Sequence, residues 1–511
     1  MRLLSHLRTL SSTPLLPHKE EPSTLLPSLP PTRVISYRLR RRHIALLFIG
    51  TVSLGLTAIQ LVTSVFSTAQ VDEYRYQNLP SPLAADEAFV NITSIQRTII
   101  EESLSKIAVA RHSPWVLGPP TRRFRENLRS DKKYVTSWYG AGWNNDVITM
   151  MNLIYLAKIT ERIPIIPTFT PSWHIGGDAP GIAFGEIFDV PRFIEEAGVE
   201  LLEWKDVKDP RSEEVEELGC WSVWQAVQKE EDRPRDSDAP KWLDLDIAYT
   251  KAPEWIKMLP DNEHDKGASF WSLARLAYPH DRHLNLRGDV RPSPLHGAVI
   301  NPDDHLLCYD YLYYVGSHQW FEYEYEYGPA WRYVGRYLRW TEGIETLAAQ
   351  YVNHALGLTA GHPVPPYITV HVRHGDFGEW CWDAERPEDC FAPLSAVARR
   401  VQEVHDEILE GHGIDIPMKH VIMTSDETDE AWWDEVASYG WKRINHTGQR
   451  TTERYTRWHP LVIDSAIQSN GLGFVGTDRS TFSVLSRRRV LDWQGGSTRT
   501  VLWGKKGADD H

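Results

Sequence analysis

Three stretches place polar or charged side chains at spacings that suit an anionic ligand. In Tyr367-Ile-Thr-Val-His-Val-Arg-His-Gly-Asp-Phe377, strict alternation sends Ile368, Val370 and Val372 to one face of a strand and Thr369, His371 and Arg373 to the other. Ligands of open α/β sheets sit outside the carboxyl ends of strands, and a guanidinium matches phosphate bidentately. His371 and Arg373 close such a strand just before a Gly-Asp turn, so the stretch reads as an anion clamp; a half-exposed strand with a polar outer face accounts for the same residues. Ser480 and Thr481 stand where a helix would be capped. The free N–H groups and positive dipole end at that spot attract anions, although ordinary capping explains them too. Arg487, Arg488 and Arg489 close the same helix, where dipole complementarity suffices and no function is assigned. Gly140-Ala-Gly-Trp-Asn-Asn-Asp146 is a glycine turn. Its glycines, Gly142 among them, let a backbone approach a ligand closely, or simply join strand to helix.

The elements that must position these residues alternate in type. Residues 134–139 read as a strand; Val147, Met151, Ile154 and Tyr155 then mark one face of a helix, and 163–167 form a short buried strand. Residues 205–300 are polar, proline-containing and weakly periodic, which predicts an irregular insertion. Strand character returns at 306–315. Ile344, Leu347, Ala348, Tyr351, Val352 and Ala355 mark an amphipathic helix near a domain boundary. Beyond the clamp strand, helices are expected at 392–409, 430–439, 461–468 and from Ser480 to about residue 489, with strands at 420–426, 473–476 and 499–503. The alternation implies an α/β protein with parallel, doubly wound sheets, as an N-terminal domain over 131–340 and a C-terminal domain over 341–505.

The chain has 511 residues, 41% hydrophobic and 24% charged, which fits a globular protein of more than one domain. The charge is uneven. Residues 1–42 carry eight Lys/Arg against two acids, whereas the remainder carries 47 basic against 67 acidic residues, a net of −20. An acidic body argues against nucleic acid as a partner. Residues 10–32, with six prolines, predict a disordered tail within 1–42. The uncharged run 44–66 is 23 residues long, enough to span a bilayer. Arg38, Arg40, Arg41 and Arg42 precede it, and Asp72 and Glu73 follow. The positive-inside rule then makes 43–66 a signal anchor. The tail lies in the cytosol, 67–130 is a stem, and the body faces the lumen of the endoplasmic reticulum or Golgi. Residues 1–13, Arg- and Ser-containing and free of acids, also fit a mitochondrial presequence. Sequons at Asn91 and Asn445 and all four cysteines lie past the span. In an oxidising lumen the cysteines could form two disulfides, with Cys381 and Cys390 the favoured pair. No C-x-x-C occurs, so no zinc site is expected. Asp236-Ser-Asp238 and Asp244-Leu-Asp246 match the Asp-x-Asp of metal-dependent sugar transfer, but both fall in the polar segment and read as solvated charge. The 21 tryptophans suit sugar stacking or core packing.

Taken together, residues 138–167, His371-Val-Arg373 with Asp376-Phe377, and the run from Ile463-Asp-Ser-Ala-Ile to Gly473-Phe-Val-Gly-Thr-Asp-Arg-Ser-Thr-Phe-Ser483 resemble the GDP-fucose protein O-fucosyltransferase family in order and spacing. Phe184-Gly-Glu-Ile-Phe-Asp189 adds to the likeness, which spans 134–503 with 205–300 unmatched. The resemblance implies a GT-B fold of two Rossmann-like domains facing across a cleft. It implies inverting transfer from GDP-fucose or a related GDP-sugar to a hydroxyl of a protein or glycan, with no cofactor and no obligatory metal. Arg373 resembles the arginine that grips the diphosphate, and His371 its strand-mate lining the donor site. Asp464 resembles the carboxylate that reads guanine. Ser480, Thr481 and Phe482 resemble the loop that holds phosphate and nucleoside, and Asn145, beside Gly142, resembles the glycine-turn Asn near donor and acceptor. Part of the family carries a glutamate base in that turn, where Ala141 stands here. Catalysis then proceeds without it, as in the family's other branch, or Asp146 or a substrate group replaces it. The remaining reading is a non-catalytic carbohydrate-binding or scaffold protein on the same fold.

Overall fold

The computed structural model describes residues 113–510 apart from 172–174, 229–230, 260–266, 287–288 and 360. The expected tail, signal anchor, most of the stem and the Asn91 sequon lie outside the described residues. Among the described residues, no helix is long and apolar enough to cross a membrane. Asn445 lies exposed in a loop.

The first sheet has seven strands: β1 (Tyr134–Ser137), β2 (Ile163–Ile166), β3 (Leu202–Glu203), β4 (Glu216–Ser222), β5 (Leu245–Lys251), β7 (Val290–Arg291) and β8 (Leu306–Tyr309); β6 (Ala268–Ser269) and β9 (Val315–Gly316) form a separate ribbon. The order is β3-β2-β1-β8-β4-β5-β7, parallel except for β7, which runs antiparallel to β5. Helix α1 (Trp143–Ile159) crosses from β1 to β2, buried over most of its surface. A helix hydrophobic nearly all round belongs in a core, so the stripe read from the sequence is only part of its buried surface.

The segment 205–300 is not an irregular insertion. It supplies β4 and β5, which pair in parallel over seven residues inside the first sheet. Its strands escape a hydrophobic reading because they bury polar groups that are paired. Asp246, fully buried, accepts the Ser293 hydroxyl (2.7 Å) and the N–H groups of Leu295 (3.0 Å) and His296 (2.9 Å). Glu216 accepts the Phe124 N–H at 2.7 Å. Buried polar groups are tolerated when hydrogen-bonded, and they erase the period-2 signal. Asp246 is therefore a structural loop anchor, not solvated charge; Asp236 and Asp238 are exposed, as expected.

The second sheet is all parallel, in the order β12 (Lys442–Arg443), β11 (Val421–Ser425), β10 (Ile368–Val372), β13 (Gly473–Thr477), β14 (Ser497–Val501). Helix α2 (Glu342–Ala355) precedes it, and α3 (Leu394–His412), α4 (Glu430–Ser438), α5 (His459–Asn470) and α6 (Thr481–Arg489) connect its strands. One face of β10 packs Ile368, Val370 and Val372 with Val397, Val401, Val404 and Ile408 of α3. The other face lies under α5 and α6: the Thr369 hydroxyl donates to Gln468 O (3.3 Å), and His371 meets Ser483 of α6. The half-exposed alternative for β10 is thereby excluded; every residue of the strand is buried. Counted along the chain, this sheet runs third, second, first, fourth, fifth, so the topology reverses between β10 and β13. In the first sheet it reverses between β1 and β8. Such switch points are where open α/β sheets bind ligands.

Two disulfides are present, the expected Cys381–Cys390 and Cys220–Cys308. The second joins the neighbouring strands β4 and β8.

Candidate active site at the facing switch points

The loops following β1, β8, β10, β11 and β13 open on one cavity of about 640 Å³. Gly142 comes from the loop after β1, with Asn144 and Asn145 in the first turn of α1; Tyr313 and Tyr314 come from the loop after β8, Asp426 from that after β11, and Arg479 and Ser480 from that after β13, with Thr481 and Phe482 opening α6; His371 lies in β10 and Arg373 directly follows it. The fold thus brings together Gly142, Asn145, His371, Arg373, Ser480, Thr481 and Phe482. Asp464 is not in that wall. It lies on α5 with its Oδ1 2.9 Å from His446 Nε2, although Leu461, one turn earlier, reaches the cavity.

His371 is buried, its Nδ1 2.8 Å from Ser483 Oγ and its ring stacked on Phe482 at 4.8 Å. Burial, with the Arg373 charge beside it, pushes its pKa down to about 3, so the ring is neutral at physiological pH. Arg373 is not a free guanidinium. Its two terminal nitrogens donate to Asp376 and Asp426, and its N–H donates to Thr477 Oγ1 at 2.9 Å. The Thr477 hydroxyl donates in turn to His371 O (3.1 Å), which locks the ends of β10 and β13 together. Ser480 caps α6, its Oγ accepting from Ser483 N. The Thr481 hydroxyl donates to Asn145 Oδ1 at 2.7 Å, a direct bond between the two halves of the site.

The glycine turn is held from the opposite side. Asp146 is buried and its Oδ1 accepts the N–H groups of Gly140 and Ala141, both at 3.1 Å; burial pushes its pKa well up. Arg235 donates through Nε (2.9 Å) and Nη2 to Gly140 O, and its guanidinium stacks on Trp224 and Tyr311. Its own N–H donates to Asp310 (3.2 Å), whose pKa burial raises to about 6. Ala141 and Asp146 line a neighbouring cavity of about 330 Å³ with Asp236 and Asp238, so Asp146 does not face the main cavity. The main cavity also holds residues that sequence reasoning missed. Asn144 is buried with its Oδ1 unpartnered; two consecutive asparagines gave no means of choosing between them. Glu324 sits in the run Phe-Glu-Tyr-Glu-Tyr-Glu-Tyr, whose regularity carries no structural period that singles it out. Among the described residues one group of metal-competent side chains converges, Glu217, Asp246 and His296. It belongs to the first sheet and its following loops, and none of the three lines the main cavity.

Two doubly wound sheets whose switch points face one cavity, with an arginine and a capped helix N-terminus in its wall, define a nucleotide-sugar glycosyltransferase of the GT-B-like class. The sequence profile of the family described as GDP-fucose protein O-fucosyltransferase matches residues 134–491. The chain belongs to that family, and fucose transfer from GDP-fucose is the activity this membership carries. Among solved structures, POFUT1 in its apo form is 15% identical, with 73% of this chain and 99% of that one covered at a TM-score of 0.44. POFUT1 in complex with GDP-fucose gives 15%, 73%, 98% and 0.44. The fucosyltransferase NodZ from Bradyrhizobium gives 15%, 70%, 93% and 0.35. No curated protein matches the chain.

Proposed function

We propose that this protein transfers fucose from GDP-fucose to a hydroxyl of a protein or glycan acceptor, with inversion at the anomeric carbon and no required divalent cation. The observation that carries the reading is the Thr481–Asn145 hydrogen bond beside Arg373, where both switch points supply groups to one cavity. The diphosphate lies against Arg373 and the N–H groups opening α6. As the glycosyl bond breaks, negative charge grows on the leaving phosphate, and a permanently charged guanidinium held by Asp376 and Asp426 needs little reorganisation to stabilise it. Neutral His371 and Phe482 form a packed wall for the nucleoside side, Gly142 keeps the turn low, and Asn145 orients the sugar. Asp464, paired with His446, reads the guanine edge; its support is the position of Leu461 on the same helix. The body works in the lumen of the secretory pathway, a reading supported by the charge asymmetry around 44–66 and by both disulfides.

Calorimetry with GDP in EDTA is the test, followed by GDP release from GDP-fucose. Binding in EDTA is expected, and affinity that appears only with added Mn²⁺ would reject the metal-free reading. Ala141 favours a second reading, a donor-binding protein without turnover, for which GDP binds and GDP-fucose stays intact.

A further inference from the structure

Transfer to a hydroxyl needs a proton acceptor, and the glycine turn supplies none. Ala141 has no titratable group, and the Asp146 oxygen is tied to the turn's own N–H groups. Three acidic residues line the main cavity, Glu324, Asp376 and Asp426; Glu324 also borders a small adjoining cavity with Asp478 and Arg487. Arg373 holds the last two. The Glu324 carboxylate is half-buried and makes no hydrogen bond or ion pair among the described residues.

Its backbone is nevertheless fixed. The turn Glu322–Glu324 packs against α6. Glu322 is buried, its carboxylate accepting the N–H groups of Ser317 (2.6 Å), His318 (2.5 Å) and Gln319 (3.1 Å). The hydroxyls of Tyr323 and Tyr313 meet at 2.7 Å, and Arg487 of α6 donates to Glu324 O at 3.2 Å. An unpaired carboxylate on an anchored backbone, in the cavity that receives the donor, has the placement of a general acid or base.

Building on the transfer reading above, we propose that Glu324 is the general base of the reaction. The acceptor oxygen bonds to the anomeric carbon and gives its proton to the Glu324 carboxylate. The bond from that carbon to the diphosphate breaks, and its electron pair leaves with GDP. Burial raises the Glu324 pKa, Asp478 beside it raises it further, and Arg487 opposes. Across the cavity stand Arg373, Arg479, Asp376 and Asp426. A carboxylate raised toward the working pH is a better proton acceptor than an ordinary one.

The test uses the full-length chain in detergent with GDP-fucose, reading GDP release to water, alongside calorimetric GDP binding. Glu324→Gln is expected to lower kcat about 100-fold, leave KM and GDP affinity within about twofold, and abolish the acid limb of the pH–rate profile. Sodium formate is expected to restore part of the rate to Glu324→Ala, which a merely structural residue would not allow. If the wild type releases GDP and Glu324→Gln stays within about threefold of it, the base assignment is wrong and the transfer reading stands. Loss of GDP affinity together with rate would equally overturn it, marking Glu324 as a binding or structural group. A wild type that binds no GDP, or releases none from GDP-fucose, overturns the transfer reading itself.

Discussion

Arg373 sits between Asp376 and Asp426, so in the proposed reaction the diphosphate would compete with two carboxylates for one guanidinium. Lysine in its place keeps the charge but loses the planar fork. Losing one charge-assisted hydrogen bond costs about 1.5–3 kcal/mol, so Arg373→Lys should lower turnover at least about tenfold with little change in melting temperature. Arg373→Ala leaves Asp376 and Asp426 facing one another without a cation, and should lower both turnover and melting temperature. GDP release and thermal unfolding measured on both variants decide this; wild-type turnover in Arg373→Lys would make the residue structural. His371 carries a pH prediction. Its folded pKa lies below the ordinary 6.5, near 3. The unfolded chain then binds more protons in that window, so the stabilisation is whole above pH 6.5 and is lost as the pH falls toward 3. The slope from this one residue is about 1.4 kcal/mol per pH unit. Urea unfolding at pH 7.5 and 5 should show a drop that His371→Asn largely lacks; parallel pH dependences would exclude the burial effect.

The two disulfides act on different elements and should be separable. Cys220–Cys308 joins neighbouring strands across a sequence separation of 88, whereas Cys381–Cys390 spans nine. In the chain-entropy picture closing these loops is worth about 4–5 and about 2–3 kcal/mol. Replacing Cys220 and Cys308 should therefore cost more melting temperature. Replacing Cys381 and Cys390 should cost more GDP affinity, because Cys381 directly follows and anchors the segment that carries Asp376, Phe377 and Trp380 to the cavity wall. Thermal scans and calorimetry on the two double variants give the comparison; a larger stability loss from the short loop would refute it. The same elements mark the reach of pattern reading. β10 announces itself by alternation and α2 by helical periodicity. β4 and β5 do not, because Glu216 and Asp246 are buried there with hydrogen-bond partners in distant segments.

For the molecule as a whole, the charge distribution makes a topological prediction independent of the site. Eight basic residues before the apolar run 44–66 and an acidic body after it favour a cytosolic N-terminus and a lumenal C-terminus. In sealed microsomes the C-terminus should resist protease until detergent is added, and digestion without detergent would rule this orientation out. The candidate site is a property of the two sheets together, since Thr481 and Asn145, 336 residues apart, meet only when both switch points face the same cavity.

By itself the sequence determined the strand that carries His371 and Arg373, the capped helix at Ser480, the glycine turn and the α/β alternation. Each of these rests on interactions within a few residues or on a local period. Tertiary structure alone decided that Arg373 is held by Asp376 and Asp426, that Arg235 from a polar-looking segment clamps Gly140, and that Asp464 pairs with His446. It also decided that Asp146, a candidate base by its position in the turn, is spent on backbone N–H groups, while Glu324, which borders the main cavity, is left unpaired. Whether a carboxylate is free or paired depends on groups brought near it from elsewhere in the chain, and no local pattern encodes that distance.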